Sequence, residues 1–124
     1  MSSEPSDQLT QVPSLVLLVE DDAIIALTTQ MLLEEIGVEE VRVAGSVADA
    51  LVHVAETRFD LAVLDLNLGK ETSLPVAEQL FAQFVPVIFA TGYGDIGLPE
   101  AYRSARILSK PYRLDDLRRA ITNA

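Results

Sequence analysis

Short apolar runs in this 124-residue chain repeatedly end in a polar residue that could take part in chemistry. A charged side chain inside a buried strand costs free energy unless a partner compensates it, so such residues are expected at strand ends, beside a compensating group. The run "LAVL" at 61–64 illustrates the pattern, because Asp65 follows it directly and Asn67 comes two residues later. The residues with this placement are Glu20, Asp21, Asp65, Thr91 and Lys110.

Carboxylates held within a few ångströms of one another repel, and a divalent cation removes that penalty. Glu20, Asp21 and Asp65 offer only oxygen ligands, with no histidine or cysteine near them in the sequence, so the ion that fits is Mg²⁺. Such an ion keeps several waters and leaves positions for phosphate oxygens. Lys110 adds a positive charge and Thr91 a hydroxyl donor, and both suit a phosphoryl group. Asp65 could then be a nucleophile, because carboxylates form acyl phosphates in some phosphotransfer proteins.

The elements that must position these residues follow from the hydrophobic pattern. Apolar runs without helical spacing predict strands, and segments with apolar residues at i, i+3/i+4 spacing predict helices. Four of the strand runs are nearly all apolar, as in strands covered on both faces, whereas "VRVA" alternates like an edge strand. The predicted strands are 15–19, 41–44, 61–64, 85–90 and 105–108, and the predicted helices are 24–36, 47–55, 73–84 and 113–124.

The alternation of strands and helices favours a single parallel sheet with helices on both faces. In such an open sheet, ligands bind beyond the carboxyl ends of the strands. The polar residues named above all follow the carboxyl end of a predicted strand. The sequence therefore predicts that they meet at one edge of an otherwise apolar sheet.

Length and composition limit what the chain can do. A chain of 124 residues that is 49% hydrophobic predicts one domain, over 15–124, preceded by a flexible N-terminal tail over 1–14. The net charge of −10 disfavours direct binding to nucleic acid or to anionic membrane surfaces. The absence of cysteine, of a membrane-length apolar run and of a signal-peptide pattern favours the cytoplasm.

Four segments together resemble the receiver domain of two-component response regulators. They are "LLVEDD", "VLDLNLG", "FATG" and "SKPY", and the resemblance extends over about 15–124 to stand-alone, single-domain receivers with "FATG" in the fourth strand. It implies a five-stranded parallel sheet of the flavodoxin-like, doubly wound (βα)5 type. It also implies a bacterial signalling domain rather than an enzyme, one that catalyses its own phosphorylation and dephosphorylation.

The resemblance assigns the phosphoryl chemistry residue by residue. Asp65 is the implied phosphoacceptor for the phosphohistidine of a histidine kinase, and Thr91 and Lys110 are its implied catalytic partners. Because Lys110 lies at an edge that solvent can reach, it is expected to carry a signal rather than to support the fold. The peptide bond between Lys110 and Pro111 is expected to be cis.

The resemblance also implies a metal site for Mg²⁺, or Mn²⁺ in its place. Asp21 and Asp65 are implied to bind the ion through their carboxylates. Glu20 is implied to bind through water, and Asn67 through its backbone carbonyl.

One position departs from the best-known receivers. These carry a tyrosine or phenylalanine three residues before the lysine, where this chain has Ile107. An isoleucine cannot act as a large two-position rotor, so Thr91 and Tyr93 are predicted to form the switch instead. The segment 92–103 is then the expected surface for a downstream protein target. The implied donor is a sensor histidine kinase or a phosphotransfer protein.

Alternatives remain beside this interpretation. A Mg²⁺-dependent phosphatase or phosphomutase also uses an aspartyl nucleophile on a parallel sheet, but such enzymes usually carry a second acid at the position that Asn67 occupies here. A binding module that no longer accepts phosphate would be expected to lack a matched residue, and none is lost. Asp22, one residue past the acidic pair, could instead cap the following helix.

Overall fold

The computed structural model describes residues 12–92, 99–102 and 105–122. Within them, five strands form one parallel sheet in the order β2-β1-β3-β6-β7, and a short antiparallel hairpin, β4-β5, lies apart from it. The strands are β1 (Leu15–Val19), β2 (Glu40–Ala44), β3 (Leu61–Asp65), β4 (Asn67–Leu68), β5 (Glu71–Thr72), β6 (Val87–Thr91) and β7 (Arg106–Ser109).

Helices cover both faces of this sheet. They are α1 (Ala23–Ile36), α2 (Val47–Glu56), α3 (Leu74–Ala82) and α4 (Leu114–Thr122), together with a 3-10 helix over Glu100–Tyr102. Alternate residues of β1 enter different cores: Leu17 joins a cluster with α2 and α3, and Leu18 joins a cluster with α1 and α4. None of the helices in the described residues has both the length and the apolarity to cross a membrane.

This architecture confirms the predicted fold class. Counting only the strands of the parallel sheet, the order reads 2-1-3-4-5, which is the flavodoxin-like winding. The edge position predicted for β2 is also confirmed. The sheet is built on near-continuous apolar strands, and every residue of β3 and β6 is buried.

Some details differ from the sequence-based prediction. The strand predicted from Val85 begins at Val87, because the amide of Val85 donates to Leu80 O and so closes the end of α3. β7 was expected to be covered on both faces, but it is the second edge strand and only Leu108 in it is buried. The hairpin β4-β5 was not predicted. Between β6 and β7, the described residues contain a 3-10 turn over Glu100–Tyr102, and residues 93–98 and 103–104 lie outside the described part of the chain.

The chain is already packed before the first strand. Val12 packs against the core on the α1 and α4 face. The carbonyl of Ser14 accepts hydrogen bonds from the amides of Glu39 and Glu40, at 3.1 and 2.9 Å. Val12 and Ser14 therefore both contact the folded part of the chain. Residues 1–11 lie outside the described part of the chain.

Candidate functional site

The carboxyl ends of four parallel strands form one edge of the sheet, as the sequence predicted. The register places Val19 beside Leu64 and Asp65 beside Ala90, and it pairs Thr91 with Ser109. The residues that close or directly follow these strands are Glu20, Asp21, Asp65, Thr91 and Lys110. The fold thus gathers the predicted site residues from widely separated parts of the chain.

Lys110 connects two of the carboxylates. Its Nζ lies 3.1 Å from Oε1 of Glu20 and 3.1 Å from Oδ2 of Asp65. The side chains of Glu20 and Asp65 are only 4% and 10% exposed, and that of Lys110 is 21% exposed. Both carboxylates are therefore largely removed from water, and the single ammonium group compensates part of their charge. The sequence analysis expected Lys110 to carry a signal rather than to support the fold, whereas this buried bridge favours a contribution of Lys110 to stability as well.

The burial of Glu20 and Lys110 shifts the pKa of both groups. Burial raises the pKa of Glu20 and the nearby charge of Asp65 raises it further, against the lowering effects of the Asp22 amide and of Lys110. Burial lowers the pKa of Lys110, but its hydrogen bonds to Asp65 and Glu20 and the attraction of their negative charges together outweigh this, so the net shift is upward from 10.5. At neutral pH Lys110 is therefore charged and its stabilising contribution is present, and on the alkaline side that contribution is lost as the pH rises through its raised pKa.

The donor set fits a hard divalent cation. Carboxylate oxygens of Glu20, Asp21 and Asp65 lie within 4.8 Å of one another, with Asp21 exposed and the other two buried. Three carboxylates and one ammonium group leave the cluster net negative. Such an all-oxygen cluster that solvent can reach suits Mg²⁺ or Mn²⁺. The hairpin turn approaches closely, since a Cβ at Gly69 would lie 3.8 Å from Oδ2 of Asp21.

The surroundings of Asp65 come from three further segments. The amide of Asn67 donates to Oδ1 of Asp65 at 3.4 Å. The residue implied as a carbonyl ligand of the metal therefore lies directly beside the Asp65 carboxylate. Thr91 is 2% exposed, and its carbonyl accepts from the Lys110 amide at 2.9 Å. The Lys110–Pro111 bond is cis, the isomer that the resemblance implied. Tyr93, the other predicted switch residue, lies outside the described residues.

The structure adds contacts that the pattern did not reveal. Asp22 caps α1, accepting from the amides of Ile24 and Ile25 at 2.9 and 3.0 Å, so the capping alternative is correct for this residue. Its own amide donates to Oε2 of Glu20 at 3.1 Å and fixes that carboxylate. The acidic residues that follow β1 thus have different roles. The one sequence feature that indicated the cap is the presence of an aspartate, a residue type preferred at helix N-caps, directly before the predicted helix.

The geometry matches a known family. The sequence profile of the response regulator receiver domain matches residues 16–122. The chain belongs to the response regulator receiver domain family. Members are signalling domains rather than enzymes acting on a separate substrate, and they bind Mg²⁺ at an acidic pocket, which here corresponds to the cluster of Glu20, Asp21 and Asp65.

Individual relatives support this placement of the receiver. The transcriptional regulatory protein PdtaR of Mycobacterium tuberculosis is 27% identical over 125 residues, which cover 98% of this chain but 61% of PdtaR, about three fifths of its length. The solution structure of SdrG from Sphingomonas melonis Fr1 is 38% identical with a TM-score of 0.76, over 86% of this chain and 92% of SdrG. The BeF3-activated conformation of SdrG, from Pseudomonas melonis Fr1, is 37% identical with a TM-score of 0.75, over 89% of this chain and 94% of SdrG.

Proposed function

We propose that this receiver is a Mg²⁺-dependent phosphorylation switch with Asp65 as the phosphoacceptor. The observation that carries the proposal is the bridge from Lys110 Nζ to Asp65 Oδ2, at 3.1 Å, within a cluster of three carboxylates. A buried carboxylate held by a lysine beside a cation site has both a nucleophilic oxygen and the positive charge that an incoming phosphoryl group needs. The similarity to SdrG, which has a BeF3-activated conformation, agrees with it.

In the proposed reaction, an oxygen of Asp65 attacks the phosphorus of a phosphohistidine on the donor protein. The new P–O bond forms as the P–N bond breaks, and the electron pair of that bond stays on the imidazole. Lys110 offsets negative charge on the phosphoryl oxygens. Asp21 and Asp65, Glu20 through water, and the Asn67 carbonyl would hold a Mg²⁺ ion, which would supply further positive charge near these oxygens. Thr91 then offers its hydroxyl to the phosphorylated aspartate.

Phosphate donors provide the first test, because a small donor requires no partner protein. Incubation with acetyl phosphate and Mg²⁺ should add one phosphoryl group per chain, detected by intact mass spectrometry. A persistent, stoichiometric adduct supports the receiver function. Continuous release of phosphate without an adduct would favour the phosphatase alternative, and no adduct and no release would indicate a binding module that no longer takes phosphate.

The metal site can be tested separately, through stability. At ten times its dissociation constant, Mg²⁺ should stabilise the unphosphorylated protein by about 1.4 kcal/mol. Asp21→Ala should lose this gain, because it removes the exposed carboxylate of the cluster. Thermal unfolding with and without Mg²⁺ measures the effect. Asp22→Asn keeps a capping side chain outside the metal set and should retain the full gain, whereas an equal gain in Asp21→Ala would refute the site.

The donor protein requires a docking surface near Asp65, and α1 offers one. Ile24, Leu27 and Met31 are 77%, 60% and 60% exposed and lie on one side of this helix. Beside them an apolar groove of about 400 Å³ reaches Pro111 and Lys110, so the surface is continuous with the proposed phosphorylation site. We propose that an apolar helix face of the phosphohistidine-bearing protein packs here, the helix-in-groove mode of recognition.

A charged residue on this surface should slow phosphorylation by a protein donor but not by a small donor such as acetyl phosphate. The test uses a purified histidine kinase that phosphorylates the wild type. Phosphoryl transfer from this kinase to Leu27→Glu should be about tenfold slower, the effect of losing a central apolar contact. Labelling by acetyl phosphate should not change. Val52→Glu is the matched control, since Val52 is 53% exposed on α2, which covers the opposite face of the sheet. Equal slowing in both variants would place the donor elsewhere.

A further inference from the structure

The last residue of "SKPY" has no role in the chemistry described above. Tyr112 lies two residues after Lys110, in the loop between β7 and α4. Its hydroxyl is 2.7 Å from Oγ1 of Thr29, a residue of α1 that is 1% exposed. The two residues are 83 positions apart in the sequence, so this hydrogen bond ties together distant parts of the chain.

The bond joins the two sides of the phosphoacceptor site. On one side, α1 begins directly after the acidic residues at the end of β1, and the Asp22 cap fixes its first turn. On the other side, the loop that carries Lys110 is held by a hydrogen bond that the backbone amide of Lys110 donates to the Thr91 carbonyl, at 2.9 Å. Tyr112 supplies a second anchor to that loop, on the far side of Lys110. Hydrogen bonds therefore hold the loop both at Lys110 itself and two residues later, at Tyr112.

The hydroxyl groups themselves indicate a specific role. Tyr112 also packs against the core on the α1 and α4 face, and a phenylalanine would fill that space equally well. Thr28, the neighbour of Thr29, bonds within its own helix instead, donating to Ile24 O at 3.0 Å. Thr29 has the same type of side chain but contacts the lysine loop. The pairing thus holds the loop in one place, beyond what packing alone requires.

We propose that Thr29 and Tyr112 are positioning residues, whose hydrogen bond holds the Lys110 ammonium in contact with the buried carboxylate of Asp65. The kinetic consequence rests on the proposed function, because only an accepted phosphoryl group makes the lysine's position affect a rate. The geometric consequence stands without it, since it concerns where Nζ lies in the unphosphorylated protein.

The chain offers a direct probe of Lys110. It contains only two lysines, and the other, Lys70, is exposed on the hairpin turn. In protein labelled with [¹⁵N]lysine, the Nζ signal of Lys70 is an internal reference for a solvated ammonium. In Tyr112→Phe, the Lys110 signal should move toward that reference and its protons should exchange faster. Labelling by acetyl phosphate should slow by up to about fivefold, the factor that a typical neutral hydrogen bond corresponds to.

The matched variants separate positioning from support. Thr29→Val should reproduce the signal change and the slower labelling, and the double variant should add no further change, because both single variants remove the same bond. The double variant should recover stability relative to Tyr112→Phe, since no buried hydroxyl is left unpaired, yet its Lys110 signal should stay displaced. Thr28→Val should behave as wild type in every measurement.

Two results would overturn the inference. One is a Tyr112→Phe variant that loses stability but keeps the wild-type Lys110 signal and labelling rate, since the bond would then be purely structural. The other is an equal displacement of the Lys110 signal in Thr28→Val. A wild type that acetyl phosphate does not label would count against the proposed function instead, and the Nζ signal would still decide the positioning role.

Discussion

Asp65→Asn is expected to abolish phosphoryl labelling, the largest functional effect of any single change in this chain. The asparagine retains the shape of the side chain, but its amide oxygen is a far weaker nucleophile than a carboxylate and cannot form the acyl phosphate. Intact mass spectrometry after incubation with acetyl phosphate and Mg²⁺ should detect no adduct. Glu20 is the other buried carboxylate that could accept the phosphoryl group in place of Asp65. Lys110 and the Asp22 amide already engage its two oxygens, so the loss should be complete.

The control for this variant lies at the same edge of the sheet. Asp22 is exposed and caps α1, and asparagine is an equally good cap. Asp22→Asn removes the same charge within a few residues of the site but leaves the proposed acceptor intact, so labelling should remain stoichiometric. An adduct that persists in Asp65→Asn, or one that disappears in Asp22→Asn, would move the acceptor away from Asp65.

The sheet and its acidic edge were predictable because their signals are local. A parallel strand covered on both faces reads as a continuous apolar run, and the first charged residue after the run marks where the strand reaches the surface. "LAVL" followed by Asp65 is one example, and its strand is buried along its whole length. Since all such strands point the same way, their polar ends must meet, and the sequence predicts the cluster without any knowledge of distances.

Other features depend on contacts between distant segments, and the sequence could not reveal them. The edge position of β7 follows from the order of strands in the sheet, which no property of "ARIL" records. The strands of the β4-β5 hairpin have two residues each, too short to carry a hydrophobic period. The bond between Thr29 and Tyr112 spans 83 positions, and a threonine on a helix is ordinarily satisfied by its own backbone.

The bridge from Lys110 to two buried carboxylates is also a contact between distant segments, and we expect it to give the largest change in stability when it is removed. Lys110→Met keeps the length of the side chain and removes its charge, so Glu20 and Asp65 remain as two buried carboxylates without their shared partner. The free energy of unfolding, measured without metal at neutral pH, should fall by about 3 kcal/mol, at the lower end of the range for breaking a buried ion pair. For a domain of this size that is a melting temperature roughly 10–15 °C lower.

The dependence of the stability loss on pH and on Mg²⁺ tests whether uncompensated charge is its cause. The pKa of Glu20 is already raised above 4.5 in the wild type, mainly by burial, and removal of Lys110 takes away a group that lowers it. A carboxyl whose pKa is raised in the folded state destabilises the fold when it is ionised, so the deficit should shrink as the pH falls toward 4.5. Mg²⁺ at neutral pH should recover part of the deficit, because the ion compensates the same carboxylates.

Lys70→Met provides the comparison, since it removes the same charge from the exposed turn of the hairpin. A surface lysine typically contributes within about 0.5 kcal/mol, so this variant should unfold close to the wild type at every pH. An equal loss in both lysine variants would attribute the effect to net charge. A deficit in Lys110→Met that neither acid nor Mg²⁺ reduces would mean that packing of the lysine stem, rather than the bridge to Glu20 and Asp65, stabilises this edge of the sheet.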